Sequence, residues 1–131
     1  MQTLRLNLYQ PPASDVRKLR PAAVCMTGGA FRTGDRNRNT INNWAKHFAS
    51  RGFVAITIDY RLGSSPGAKE NRDAAYDAKA AIRWLVKHSA RYRISTDHIV
   101  TFGASAGGMI VAWLTAMRGD GDGNTTTSVI W

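Results

Sequence analysis

Ile99-Val100-Thr101-Phe102-Gly103-Ala104-Ser105-Ala106-Gly107 reads as a buried strand that breaks into a glycine-flanked serine. Met109, Ile110, Ala112, Trp113 and Met117 then recur at helical spacing, with Gly119 as the expected stop. Strand, tight turn and helix in that order predict a sharp bend. It would hold the Ser105 hydroxyl exposed beyond the carboxyl end of a parallel strand. The chemistry such a bend serves is acyl transfer through a serine.

Upstream, the chain alternates strand and helix signals. Leu4, Leu6 and Leu8 alternate as in a half-buried strand that Pro11-Pro12 ends, and a polar loop runs through Arg20-Pro21. Ala22-Ala23-Val24-Cys25-Met26 is a continuous apolar run, as in a strand covered on both faces, and Thr27-Gly28-Gly29-Ala30-Phe31 breaks it. After a loop rich in Arg and Asn, Ile41, Trp44, Ala45, Phe48 and Ala49 predict a helix that Gly52 ends. Phe53 to Ile58 is a β-branched strand, Gly63 to Gly67 a loop, and Ala74, Ala78, Ala81, Ile82 and Leu85 mark a helix to about His88. Gly119 to Asn124 reads as a turn, and Thr126 to Trp131 as another strand starting. This alternation predicts a single α/β domain over residues 1–131, a mostly parallel open sheet flanked by helices. Ligands of such sheets sit beyond the carboxyl ends of the strands, where Gly28-Gly29, Asp59-Tyr60 and Ser105 converge.

A serine hydroxyl attacks well only when a base takes its proton. Gly103 and Gly107 let strand and helix approach with no side chain between them. The helix after Ser105 aims its free N–H groups and positive dipole end at the reacting centre, which makes the Ala106 amide a donor to a developing oxyanion. Gly28 and Gly29 supply the complementary half of that oxyanion hole, since glycine amides approach a carbonyl without obstruction. Losing one such donor typically costs about 3–4 kcal/mol of barrier. Taken alone, Gly28-Gly29 also reads as an ordinary turn, and G-x-S-x-G recurs by chance. Both follow predicted buried strands, in the order the chemistry needs.

With these pieces in place, the chain resembles the N-terminal portion of an α/β-hydrolase of the carboxylesterase/lipase type, similar to hormone-sensitive-lipase-like and related bacterial esterases. The resemblance rests on Leu8-Tyr9-Gln10-Pro11, Thr27 to Phe31, Asp59-Tyr60-Arg61-Leu62, Asp77 to Leu85 and Gly103 to Gly108. It implies a truncated α/β-hydrolase fold, Ser105 as nucleophile, and Gly28, Gly29 and Ala106 as oxyanion donors. It implies a small-molecule carboxylic ester as substrate and neither a metal nor an organic cofactor. Asp59 to Leu62 and Asp77 carry over as structural positions. Two departures stand out. The family begins its glycine motif with His where this chain has Thr27. Its triad acid and His follow the serine, whereas the 26 residues after Ser105 hold Asp120 and Asp122 but no His.

The upstream histidines do not replace that base. His98 precedes the bend by about five strand residues, roughly 15–17 Å, and His88 and His47 fall toward the opposite sheet edge. General-base work needs heavy atoms within about 3 Å. The 131-residue chain is therefore expected to be weakly active or inactive, retaining roughly 10³–10⁴-fold over water from oxyanion stabilisation and binding. An alternative reading is a non-catalytic small-molecule binding or interaction protein on a hydrolase scaffold. The net charge of +9 comes from dispersed Lys and Arg with no nucleic-acid-binding signature, so a solvated basic surface is expected rather than a nucleic-acid partner. The N-terminus lacks a secretory apolar stretch, and no apolar run approaches the roughly 20 residues of a spanning helix, so a cytoplasmic chain without a membrane span is expected. The single Cys25 allows no internal disulfide. An unpaired apolar edge strand near Trp131 predicts self-association through the exposed sheet edge.

Overall fold

The computed structural model describes residues 3–64, 67–116 and 127–129. Strands β1 (Leu6–Tyr9), β2 (Arg20–Met26), β3 (Val54–Ile58), β4 (Ile94–Gly103) and β5 (Thr127–Val129) share one sheet, ordered β1-β3-β2-β4-β5. Helices α1 (Asn39–Ser50), α2 (Ala68–Lys87), α3 (Ser89–Tyr92) and α4 (Ala106–Ala116) connect them. β3, β2, β4 and β5 run parallel, while β1 pairs antiparallel with β3, Leu8 opposite Ile56. β1 therefore pairs not with β2, which follows it in the chain, but with β3 at the sheet edge. The open, mostly parallel α/β sheet is thus the one the alternation of signals predicts.

Side-chain alternation decides which helix covers which face. Ala22, Val24 and Met26 of β2, with Val54, Ile56 and Ile58 of β3, join one buried cluster with Ala74, Ala78, Ile82 and Leu85 of α2 and Ile110 and Leu114 of α4. The opposite face carries small residues, Ala23, Cys25 and Ala55, against Ile41 and Ala45 of α1. Val100 joins that cluster, and Phe48, Phe53 and Phe102 pack against it. Burial pushes the Cys25 thiol up to about 12. Gly52, at φ +95°, closes α1 as its position predicts, donating its N–H to the Ala49 carbonyl at 3.0 Å. Among the described residues no helix is long and apolar enough to cross a membrane.

Three element boundaries differ from the sequence reading. β2 begins at Arg20, inside the expected loop, because the Arg20 N–H donates to the Arg93 carbonyl at 2.7 Å and its guanidinium to the Asp15 carbonyl at 3.3 Å. β4 begins at Ile94 rather than Ile99. Arg20 faces Ile94 and Ala22 faces Ile99, so residues 95–98 bulge out of the register. α2 begins at Ala68, with a polar first stretch that carries no apolar period to read.

Candidate active site

Ser105 lies between the end of β4 and the start of α4, with φ +55° and its side chain on the exposed surface. A non-glycine residue in this left-handed region costs about 1–2 kcal/mol and persists only where its surroundings hold it. The holding contacts are visible. The Gly107 N–H reaches the Ala104 carbonyl at 2.9 Å, and the Met109 N–H reaches the Ser105 carbonyl at 3.1 Å. A Cβ on Gly103 would run into the Gly107 backbone, and one on Gly107 into the Met26 carbonyl. Strand end and helix start meet there with no room for a side chain, as the G-x-S-x-G spacing predicts.

The same region brings Gly28 against the serine. A Cβ placed on Gly28 would stand 2.9 Å from the Ala104 carbonyl oxygen and 3.1 Å from the Ser105 Cβ. β2 and β4 are neighbours with Met26 opposite Gly103, so both chain breaks occur at one level of the sheet edge. Ala106, 2% exposed, is the first residue of α4. Gly28, Gly29, Ser105 and Ala106 therefore come together beyond the carboxyl ends of β2 and β4. Thr27, Gly28, Gly29, Arg38, Trp44 and Ser105 line a cleft of about 250 Å³.

The glycine loop is strained and anchored. Gly29, Ala30 and Phe31 have φ of +134°, +55° and +60° in succession. Phe31 is nonetheless 1% exposed and meets the Tyr60 ring edge-on at 6.2 Å. Burying such a ring is worth about 2–3 kcal/mol, which offsets the strain. The Gly63 N–H donates to the Phe31 carbonyl at 2.7 Å, and the Arg32 and Thr33 N–H groups donate to the Gly29 carbonyl. Farther along, the Arg36 N–H and guanidinium donate to the Asp59 carboxylate at 3.0 and 2.8 Å. Asp77 accepts the Arg61 N–H at 2.9 Å and its Nε at 3.0 Å. Asp59 and Asp77 thus act as structural positions.

Two contacts at the cleft carry no sequence signal. The Tyr60 hydroxyl donates to the Thr27 carbonyl at 2.6 Å, and Arg38 Nη1 donates to the Gly28 carbonyl at 3.0 Å. Arg38 sits in a polar loop among several Arg and Asn, where spacing does not single it out.

The three histidines lie outside the cleft lining. His47 occupies the last turn of α1, edge-on to Trp44. His88 is half-buried and stacks on Trp84, with Nδ1 2.8 Å from the Trp84 carbonyl oxygen. His98 is in the 95–98 bulge, with Nδ1 2.8 Å from the Ser95 hydroxyl. Asp120 and Asp122 fall outside the described residues, as do Met117 and Gly119. Among the described residues no three His, Cys, Asp or Glu side chains cluster as a metal site requires.

A family model described as BD-FAE matches residues 6–128. Carboxylesterase 3B of Mus musculus is 34% identical over 118 residues, covering 85% of this chain and 20% of that protein. Para-nitrobenzyl esterase of Bacillus subtilis is 30% identical over 122 residues, covering 87% of this chain and 24% of its own. Among solved structures, the thermophilic esterase Est2 of Thermogutta terrifontis with propionate bound superposes with a TM-score of 0.70 at 35% identity, over 83% of this chain and 39% of that one. An inhibited esterase B of Lactobacillus rhamnosis gives a TM-score of 0.76 at 26% identity, over 95% and 41%. The chain therefore spans about a fifth to a quarter of those curated relatives and about two fifths of the solved chains. With strand order, turn geometry and sequence in agreement, the chain belongs to the BD-FAE family, among the esterases of α/β-hydrolase fold.

Proposed function

We propose that this protein hydrolyses carboxylic esters, with Ser105 as nucleophile and the backbone amides of Gly28, Gly29 and Ala106 as oxyanion donors. The observation that carries the reading is the approach of Gly28 to Ser105 across the carboxyl ends of β2 and β4. An ester carbonyl set in the cleft would meet the serine oxygen on one side and glycine amides on the other. Attack forms the C–O bond to Ser105 as the alkoxide leaves with a proton, and water then hydrolyses the acyl-enzyme. His47, His88 and His98 lie outside that cleft lining, so none of them serves as its base, and turnover by the 131-residue chain is expected to be slow. A small or medium acyl ester fits a cleft of about 250 Å³.

A fluorophosphonate probe tests this directly. Labelling of the intact protein is expected, with the adduct at Ser105 and none in Ser105→Ala. The placement of the histidines favours one other reading, a small-molecule binding protein on the same scaffold. Saturable ligand binding without labelling would establish that instead.

A further inference from the structure

We infer that Arg38 and Tyr60 are positioning residues for the oxyanion hole, each fixing one glycine amide by holding the carbonyl of the same peptide unit. This rests on the esterase reading above and adds to it. In a trans peptide the C=O and N–H point in opposite directions, so pinning the oxygen aims the hydrogen. The peptide between Thr27 and Gly28 is held through the Thr27 carbonyl, which takes the Tyr60 hydroxyl at 2.6 Å. The next peptide, between Gly28 and Gly29, is held through the Gly28 carbonyl, which takes Arg38 Nη1 at 3.0 Å and the Thr27 hydroxyl at 3.2 Å. The third donor, Ala106, belongs to the peptide whose Ser105 carbonyl takes the Met109 N–H at 3.1 Å. All three proposed donors thus have their partner oxygens occupied.

The pair is built for this work. Tyr60 is 4% exposed, and burial pushes its hydroxyl up to about 12, so it remains a protonated donor at neutral pH. Arg38 is the residue before α1, and its own carbonyl accepts the Asn42 N–H at 3.0 Å, so its backbone is fixed. Its permanent charge against the Gly28 oxygen also polarises that peptide and strengthens the Gly29 N–H as a donor. An oxyanion hole works because its dipoles are already oriented when charge develops. Gly29, Ala30 and Phe31, all at positive φ, would otherwise leave the loop free to relax away from that orientation.

The test uses the intact protein with p-nitrophenyl acetate and the fluorophosphonate probe. Losing an amide donor outright lowers kcat by about 10²–10³-fold, so losing its alignment through Arg38→Met or Tyr60→Phe is expected to lower kcat by about tenfold. KM stays near its original value, because the interaction belongs to the transition state. The phosphonylation rate falls in parallel, and Arg38→Lys recovers most of both. Arg38 is at the surface and Tyr60→Phe removes one oxygen, so circular dichroism and the unfolding midpoint establish that each variant folds. Folded variants with unchanged kcat and labelling rate, or a rise in KM alone, would overturn the inference while leaving Ser105 in place. An unmodified protein that neither turns over ester nor labels at Ser105 would remove the esterase reading and this inference with it.

Discussion

At Ser105, the proposed function and stability pull in opposite directions. Its φ of +55° suits glycine, yet the proposed chemistry needs a hydroxyl there. Ser105→Ala keeps the Cβ and the strain. Ser105→Gly removes both, and the relief of about 1–2 kcal/mol outweighs the roughly 0.5–1 kcal/mol of chain entropy that glycine adds to the unfolded state. The glycine variant is therefore expected to unfold at a higher urea midpoint than the alanine variant, the reverse of the order found inside a right-handed helix. An alanine variant as stable as the glycine one would mean that the bend is not strained. The residues flanking the serine were legible because the constraint is steric. Only glycine fits where a Cβ would strike the Met26 or Gly107 backbone.

At the scale of elements, the central strands were legible from composition and their ends were not. Ala22 to Met26 and, apart from Thr57, Val54 to Ile58 are apolar on both faces because helices cover both, and periodicity reads that state directly. Arg20 and Ile94 extend β2 and β4 through one backbone bond and a buried guanidinium, contacts formed only after the chain folds. The contacts of Arg38 and Tyr60 were not legible for the same reason: the sequence places Tyr60 at the site edge, but which carbonyl each side chain reaches depends on loop geometry. Within β4, Thr101 carries an exception to the polar accounting of the core. It is 1% exposed, and its hydroxyl finds no hydrogen-bond partner among the described residues. Thr101→Val keeps the shape and removes the unsatisfied oxygen, so a gain of about 1 kcal/mol is expected, read as a higher urea midpoint with an unchanged slope. A loss of stability would show that this hydroxyl has a partner in solution.

Across the whole molecule, two forces act on association with opposite sign. Among the described residues β1 and β5 are the outer strands, and an outer strand left uncovered presents unpaired N–H and C=O groups to another chain. Against this stands a net charge of +9, which makes copies repel at low ionic strength. Screening shortens that repulsion to about 8 Å at physiological salt and to about 3 Å at 1 M, whereas backbone pairing at contact distance is little affected. We therefore expect the 131-residue chain to self-associate through a sheet edge, and to do so more strongly as salt rises. Light scattering across the micromolar range at low and high salt reads this as a mass that grows with both concentration and ionic strength. A mass that falls with added salt would indicate ionic pairing between patches instead of strand addition. A constant monomer mass in all conditions would mean that the edges are protected, and that the charge has nothing to oppose.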